Sequence, residues 1–146
     1  MATYSFMDVN ATLTGVGGVV NLGNGSSVAK EGITVTLNQD RNNMTVGADG
    51  EVMHSLRKDK SGTITVRLLY TSPVNKILQA MYDAQALSSS AWGNNAIAIT
   101  NSGNKELVTA RSVAFKKQPD RTYSEDGTTL EWTFDCGKID TITGTY

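Results

Sequence analysis

Apolar and polar residues alternate with period two along most of the chain, which is the pattern of strands with one buried face. Met7, Val9, Ala11 and Leu13 share one face while Asp8, Asn10 and Thr12 share the other, so a strand is predicted there, ended or bulged by Gly15, Gly17 and Gly18. Ile33, Val35 and Leu37 alternate with Thr34 and Thr36 after the turn-rich Gly23-Asn24-Gly25-Ser26-Ser27. Gly62 to Tyr70 alternates Ile64, Val66, Leu68 and Tyr70 against Thr63, Thr65 and Arg67, with Leu69 turning the second face apolar near its end. Three more strands are predicted at Ala96 to Thr100, Leu107 to Lys117 and Thr128 to Ile139. In the last, Leu130, Trp132, Phe134 and Cys136 oppose Glu131, Thr133 and Asp135. Pro119-Asp120 and Asp126-Gly127 bracket the link into it.

Only one segment departs from this period. Val74, Ile77, Leu78, Met81 and Tyr82 recur at helical spacing behind Ser72-Pro73, an N-cap followed by Pro at the first helical position. A helix over about 73–86 is predicted, with Asn75, Lys76, Gln79 and Asp83 on its polar face. Asn38 to Ser61 is too polar for core and long for a passive loop, and Asp49-Gly50 marks a hairpin turn at its centre. The simplest account is a long hairpin projecting over about 38–61. The fold class is therefore all-β: a two-sheet antiparallel sandwich or partly closed barrel, with one flanking helix and one projecting hairpin, forming a single domain over 1–146.

Composition narrows the chemistry. The 146 residues are 39% hydrophobic and carry 13 Lys plus Arg against 14 Asp plus Glu, a formal net charge of -1 that leaves no large basic field for nucleic acid or anionic membrane. One cysteine and one histidine, Cys136 and His54, are too few for an internal disulfide or a Cys/His metal site, so neither metal nor cofactor is expected. No window approaches the ~18 apolar residues of a membrane span, and no signal-peptide pattern opens the chain. A soluble protein of a reducing compartment is expected, with no membrane insertion.

Candidate sites weigh against catalysis. Gly15-Val16-Gly17-Gly18 and Gly23-Asn24-Gly25 do not complete a dinucleotide loop and lead into no helix. His54 and Ser55, near Asp59, have the residue types of a hydrolase triad, but neighbours in a strand point to opposite faces. Glu131 and Asp135 share a strand face about 13 Å apart, beyond the ~5–9.5 Å of paired glycosidase carboxylates. The basic clusters Arg57-Lys58-Asp59-Lys60 and Lys116-Lys117 lack interleaved aromatics. Trp92, Phe115, Trp132 and Phe134 read as core before they read as a sugar platform. No enzyme is expected. A binding or structural role is what remains.

Across its length the sequence resembles the tail tube (inner tube) proteins of contractile-tailed bacteriophages. The resemblance runs through Tyr4-Ser5-Phe6-Met7-Asp8-Val9-Asn10-Ala11-Thr12, Leu22-Gly23-Asn24-Gly25, Glu31-Gly32-Ile33-Thr34-Val35, Asn43 to Gly50, Met53-His54-Ser55 and Lys60 to Leu69. It continues in Thr71-Ser72-Pro73-Val74-Asn75, Val113-Ala114-Phe115-Lys116-Lys117 and Glu131-Trp132-Thr133-Phe134-Asp135. It implies a structural virion protein that assembles with itself into stacked hexameric rings, the conduit for DNA inside a contractile sheath. The implied partners are the sheath, baseplate, tape-measure and tail terminator proteins, with DNA passing only transiently. The implied location is the virion tail, assembled in the host bacterial cytoplasm. Type VI secretion tube proteins are similar in fold, so a tube subunit of a phage-derived contractile injection or secretion system is the alternative; a monomeric carbohydrate- or protein-binding β-sandwich stands behind both. The hairpin residues Met44, Val46, Asp49, Gly50, Val52 and Met53 are then candidates for an inter-ring contact, and Glu131 and Asp135 for the lumen wall.

Overall fold

The computed structural model describes residues 2–146. A single 3-10 turn, Phe6–Asp8, leads into β1 (Val9–Gly15), β2 (Gly18–Asn21) and β3 (Val28–Leu37). The hairpin strands β4 (Asn42–Val46) and β5 (Val52–Leu56) follow, then β6 (Gly62–Leu69), α1 (Val74–Gln85), β7 (Asn95–Asn101), β8 (Glu106–Lys117) and β9 (Thr129–Ile142). Seven strands form one antiparallel sheet in the order β2-β1-β7-β8-β9-β6-β3, and β4 with β5 form a second, two-stranded sheet. The large sheet curls into a half-barrel. Of the two architectures the alternation permits, the partly closed barrel is the one adopted.

The strands follow the alternation with local departures. Met7 does not join β1: the Ser5 hydroxyl accepts from the Met7 N–H at 3.2 Å and caps the 3-10 turn, leaving Met7 exposed and starting the buried alternation at Val9. The glycines after Thr14 turn the chain straight back, pairing Gly15 with Gly18 and forming β2, a strand too short and glycine-rich to register as alternation. In β8 and β9 the buried set slips by one residue at the same rung, from Ala110 to Val113 and from Cys136 to Ile139. Ser112 there has φ 53, and a Cβ on Gly137 would lie 2.9 Å from the Ser112 Cβ. Only glycine allows the two strands to switch faces together at that point.

The core lies on the inner face, beneath α1. Val74, Leu78 and Met81 of the helix pack on Leu13, Val20, Val66, Phe115 and Trp132. Phe115 is the hub of the aromatics, with ring centroids 5.0 Å from Phe134, 5.7 Å from Tyr82 and 5.9 Å from Trp132. These rings are interior, so no aromatic sugar platform is formed by Phe115, Trp132 or Phe134.

Buried polar side chains fix the helix at both ends. Asn75, which periodicity placed on the solvent face, is buried: its Oδ1 accepts from Trp132 Nε1 at 3.1 Å and its Nδ2 donates to the Leu69 carbonyl at 3.0 Å. Ile77, which periodicity placed inward, is largely exposed instead. The helix is rolled toward Asn75 because the buried Trp132 N–H would otherwise lack a partner. The Ser72 hydroxyl donates to the Ser26 carbonyl at 2.6 Å and accepts from Val74 N at 3.3 Å, tying the helix start to the β2–β3 connection. At the other end Gln85, fully buried, exchanges two 2.8 Å hydrogen bonds with Asn95, and its Nε2 also donates to the Val16 carbonyl.

Cys136 is buried in this core, and burial pushes its thiol up to about 11. Thiolate is the reactive form, so burial protects Cys136 twice, by suppressing its ionisation and by closing access to it. Labelling with a chromogenic disulfide is expected to be absent in native buffer and stoichiometric in denaturant. Rapid native labelling would show that this part of the sheet opens.

Candidate assembly surfaces

Surfaces left uncovered on this frame include the β4–β5 hairpin, the outer face of the large sheet and its two edges. The hairpin is a regular ladder, with Met44 opposite His54, Thr45 opposite Met53 and Val46 opposite Val52. Gly47 N donates to the Glu51 carbonyl at 2.7 Å and Gly50 N to the Gly47 carbonyl at 3.0 Å, closing the turn that Asp49-Gly50 signals. Gly50 has φ 87, a backbone conformation costly for any side chain. Backbone bonds from Asn38 to the Ser61 carbonyl and from Arg57 to the Arg41 carbonyl continue the pairing down the neck. There Ser61 hydrogen-bonds to Asp59 and holds its carboxyl below the usual range.

A two-residue period puts Met44, Val46, Val52 and Leu56 on one face of the hairpin and Met53 on the other. All five are exposed, Leu56 to 77%. Sequence reading missed Leu56, because a lone leucine between Ser55 and Arg57 carries no pattern of its own. His54 lies on the apolar face, 3.1 Å from the Asn42 amide, while Ser55 points the opposite way. The two therefore do not form a nucleophile–base pair. Among the described residues no cluster of His, Cys, Asp and Glu could hold a metal ion.

The outer face of the large sheet is paved with short polar side chains. Thr12 and Thr14 lie across from Ala98 and Ala96, Thr133 across from Thr65, and Thr65 across from Thr34. Glu131 and Asp135 fall on this same face, away from the helix. Glu131 is 3.7 Å from Arg67, whose guanidinium also donates to the Thr34 hydroxyl at 3.0 Å. Asp140 takes Lys60 at 2.9 Å and Arg111 at 3.2 Å. Lys60 above all holds its carboxyl below the usual range. The cations that counter these acids, Arg67, Lys60 and Arg111, come from other strands and connections. The face is thus hydroxylated and nearly charge-balanced, with Asp135 free of ion pairs among the described residues.

The fold is thus a half-barrel sheet with exposed edges, one packed helix and a projecting hairpin. The sequence profile of the bacteriophage PhiTE tail tube protein family matches residues 1–144. The chain belongs to that family. It is a structural tube subunit by that membership. Among curated proteins none matches it significantly in sequence. Its fold is similar to that of the anti-feeding prophage cap, described as the tube terminating cap, with TM-score 0.61 and 13% identity over 99% of this chain and 95% of that one. It is equally similar to a chain of the PVC extracellular contractile injection system sheath–tube complex in the extended state, at TM-score 0.61 and 8% identity over 97% and 92% of the two chains. A chain of the PVC sheath/tube terminator follows at TM-score 0.60 and 13% identity over 98% and 99%. At such identities these likenesses speak to fold. Among the described residues no helix is long and apolar enough to cross a membrane.

Proposed function

We propose that copies of this chain close into hexameric rings and stack head to tail into the hollow inner tube of a contractile apparatus. The observation that carries the proposal is the β4–β5 hairpin, a hydrogen-bonded ladder whose Met44, Val46, Val52, Met53 and Leu56 are left bare by their own subunit. Exposed apolar side chains on a stiff projection favour a partner surface. In the tube that surface belongs to the adjacent ring, with Asp49 and Gly50 shaping the tip. The free edge of β2 supports a lateral contact, since an edge strand is a ready template for pairing with another copy. A head-to-tail contact that closes by rotation gives a ring, and one that does not close grows a filament.

In this reading the threonine-rich outer face, with Glu131 and Asp135, lines the channel. DNA sticks to surfaces that neutralise its phosphates, and on this face Lys60, Arg67 and Arg111 sit beside acids while Lys138 is left without a carboxylate among the described residues, so a strand meets few free cations as it slides past. The similar folds come from contractile injection systems and the family is that of a phage tail tube, and both support the tube reading, in an injection apparatus or a virion tail. The PVC complexes pair tube with sheath and with terminator, and this supports sheath and terminator proteins as partners here. Baseplate and tape-measure proteins complete the set, and assembly takes place in the bacterial cytoplasm. Negative-stain microscopy of the purified protein, concentrated stepwise, is expected to show six-fold rings and then tubes. A monomer that persists at every concentration and salt would overturn the proposal.

A further inference from the structure

α1 and β2 cover only part of the half-barrel's inner face. The rest is an open groove of about 800 Å³, floored by Ile99, Val108 and Ile139 and walled on one side by Val35 and Leu37 of β3. Val35 is 37% exposed and Leu37 52%, although both point to the same face as the buried Ile64 of the neighbouring strand. From Ile33 to Leu37 this edge strand has no proline, no bulge and no charge, which are the usual devices that keep an edge from pairing. Its outer row of N–H and C=O groups has no partner strand in the sheet. The groove therefore suits an occupant that is extended and carries apolar side chains at alternate positions.

The chain itself displays such an element. On the β4–β5 hairpin, Met44, Val46, Val52 and Leu56 share one uncovered face at two-residue spacing. None of them lines the groove of its own subunit, and the backbone bonds of the neck hold the hairpin to the strand ends from which it grows. Charge agrees with the fit. Glu31, Glu106 and Lys30 line the groove and form no ion pair among the described residues, which leaves its lining acidic by one charge, while Arg57 and Lys58 on the hairpin neck likewise lack a carboxylate partner.

We propose that this groove receives the apolar face of the β4–β5 hairpin from a second copy of the chain. The proposal rests on the tube reading and names the surface on which the hairpin lands. Burial of Met44 and Val46 against Val35 and Ile99 would remove apolar surface of both copies from water, and Arg57 or Lys58 would meet Glu31 or Glu106 at the rim.

The test is a cross-link between two differently tagged copies, one carrying Met44→Cys and the other Val35→Cys, mixed, assembled and briefly oxidised. Both positions are exposed, so both variants should fold, and the buried Cys136 stays out of the reaction. A mixed disulfide is expected in assembled protein at least tenfold above that given by Met44→Cys with Thr65→Cys, which lies on the outer face. A Val35→Asp copy is expected to stay folded by circular dichroism and, by sedimentation, to stop at single rings or smaller species without lengthening into tubes. Tubes without the Met44–Val35 cross-link, or with the Thr65 link equally strong, would overturn the groove assignment and leave the tube reading standing. Failure of the unmodified protein to assemble at all would overturn both.

Discussion

Trp132→Ala is expected to leave the chain unable to hold its native fold at 37 °C. The indole is fully buried, stacks edge-on against Phe115 and donates its N–H to Asn75. Removing a core aromatic costs about 3–5 kcal/mol through lost contacts and the cavity left behind. The Asn75 carbonyl oxygen then loses its donor, which adds about 1–3 kcal/mol where no water replaces it. The sum is comparable to the whole stability of a typical domain, about 5–15 kcal/mol. Trp132→Phe separates the two contributions, since it keeps an aromatic ring but orphans Asn75, and it should cost less than half as much. Denaturant titration of the monomer, followed by near-ultraviolet circular dichroism, measures both. A loss below about 1 kcal/mol for the alanine variant would mean that the helix is not anchored through Asn75 and Trp132.

Trp132 also marks how far the residues alone reveal the fold. β6, the first half of β9 and the helix were legible because each carries several repeats of one period, and a repeated period overrides single exceptions. β2 was illegible because four residues, Gly18 to Asn21, hold too few alternations. Asn75 was misplaced for a different reason. A helical wheel sorts by hydropathy, whereas the position of Asn75 is decided by the indole N–H of a residue 57 positions away. The Gln85–Asn95 amide pair and the joint face switch at Ser112 and Gly137 are also set between segments, and neither leaves a local mark.

The surfaces divide along the same line. Asp49-Gly50 announces the hairpin because the turn needs a residue tolerant of positive φ, and that need is local. The sheet face of Glu131 and Asp135 could be read from alternation, but Arg67, which counters Glu131, comes from another strand and could not. The groove beside β3 exists only because the sheet curls without closing. Ile33, Val35 and Leu37 read as an ordinary buried strand, and nothing in their alternation distinguishes an inward face that is covered from one that is left open.

Shortening the hairpin should abolish stacking into tubes while sparing the fold, which makes it the most direct separation of the two properties. Replacing Thr45 to Met53 by Asn-Gly leaves Met44 opposite His54 in the native register and closes the ladder with a two-residue turn suited to its twist. The removed residues include the apolar Val46, Val52 and Met53, all exposed, so the core beneath α1 loses none of its contacts and the melting temperature should move by only a few degrees. Burying an apolar side chain contributes about 1.5–3 kcal/mol, and every 1.4 kcal/mol is tenfold in a dissociation constant. Loss of even two such contacts per subunit weakens each copy's hold by about a hundredfold. A ring that engages its neighbour through several hairpins at once compounds that loss, because multivalent contacts strengthen and fail together. Microscopy and sedimentation should therefore find folded protein that no longer lengthens into tubes at concentrations where the parent does. Tubes of normal length from the shortened chain would move the stacking contact elsewhere, and a collapse in melting temperature would show that the hairpin supports the barrel itself.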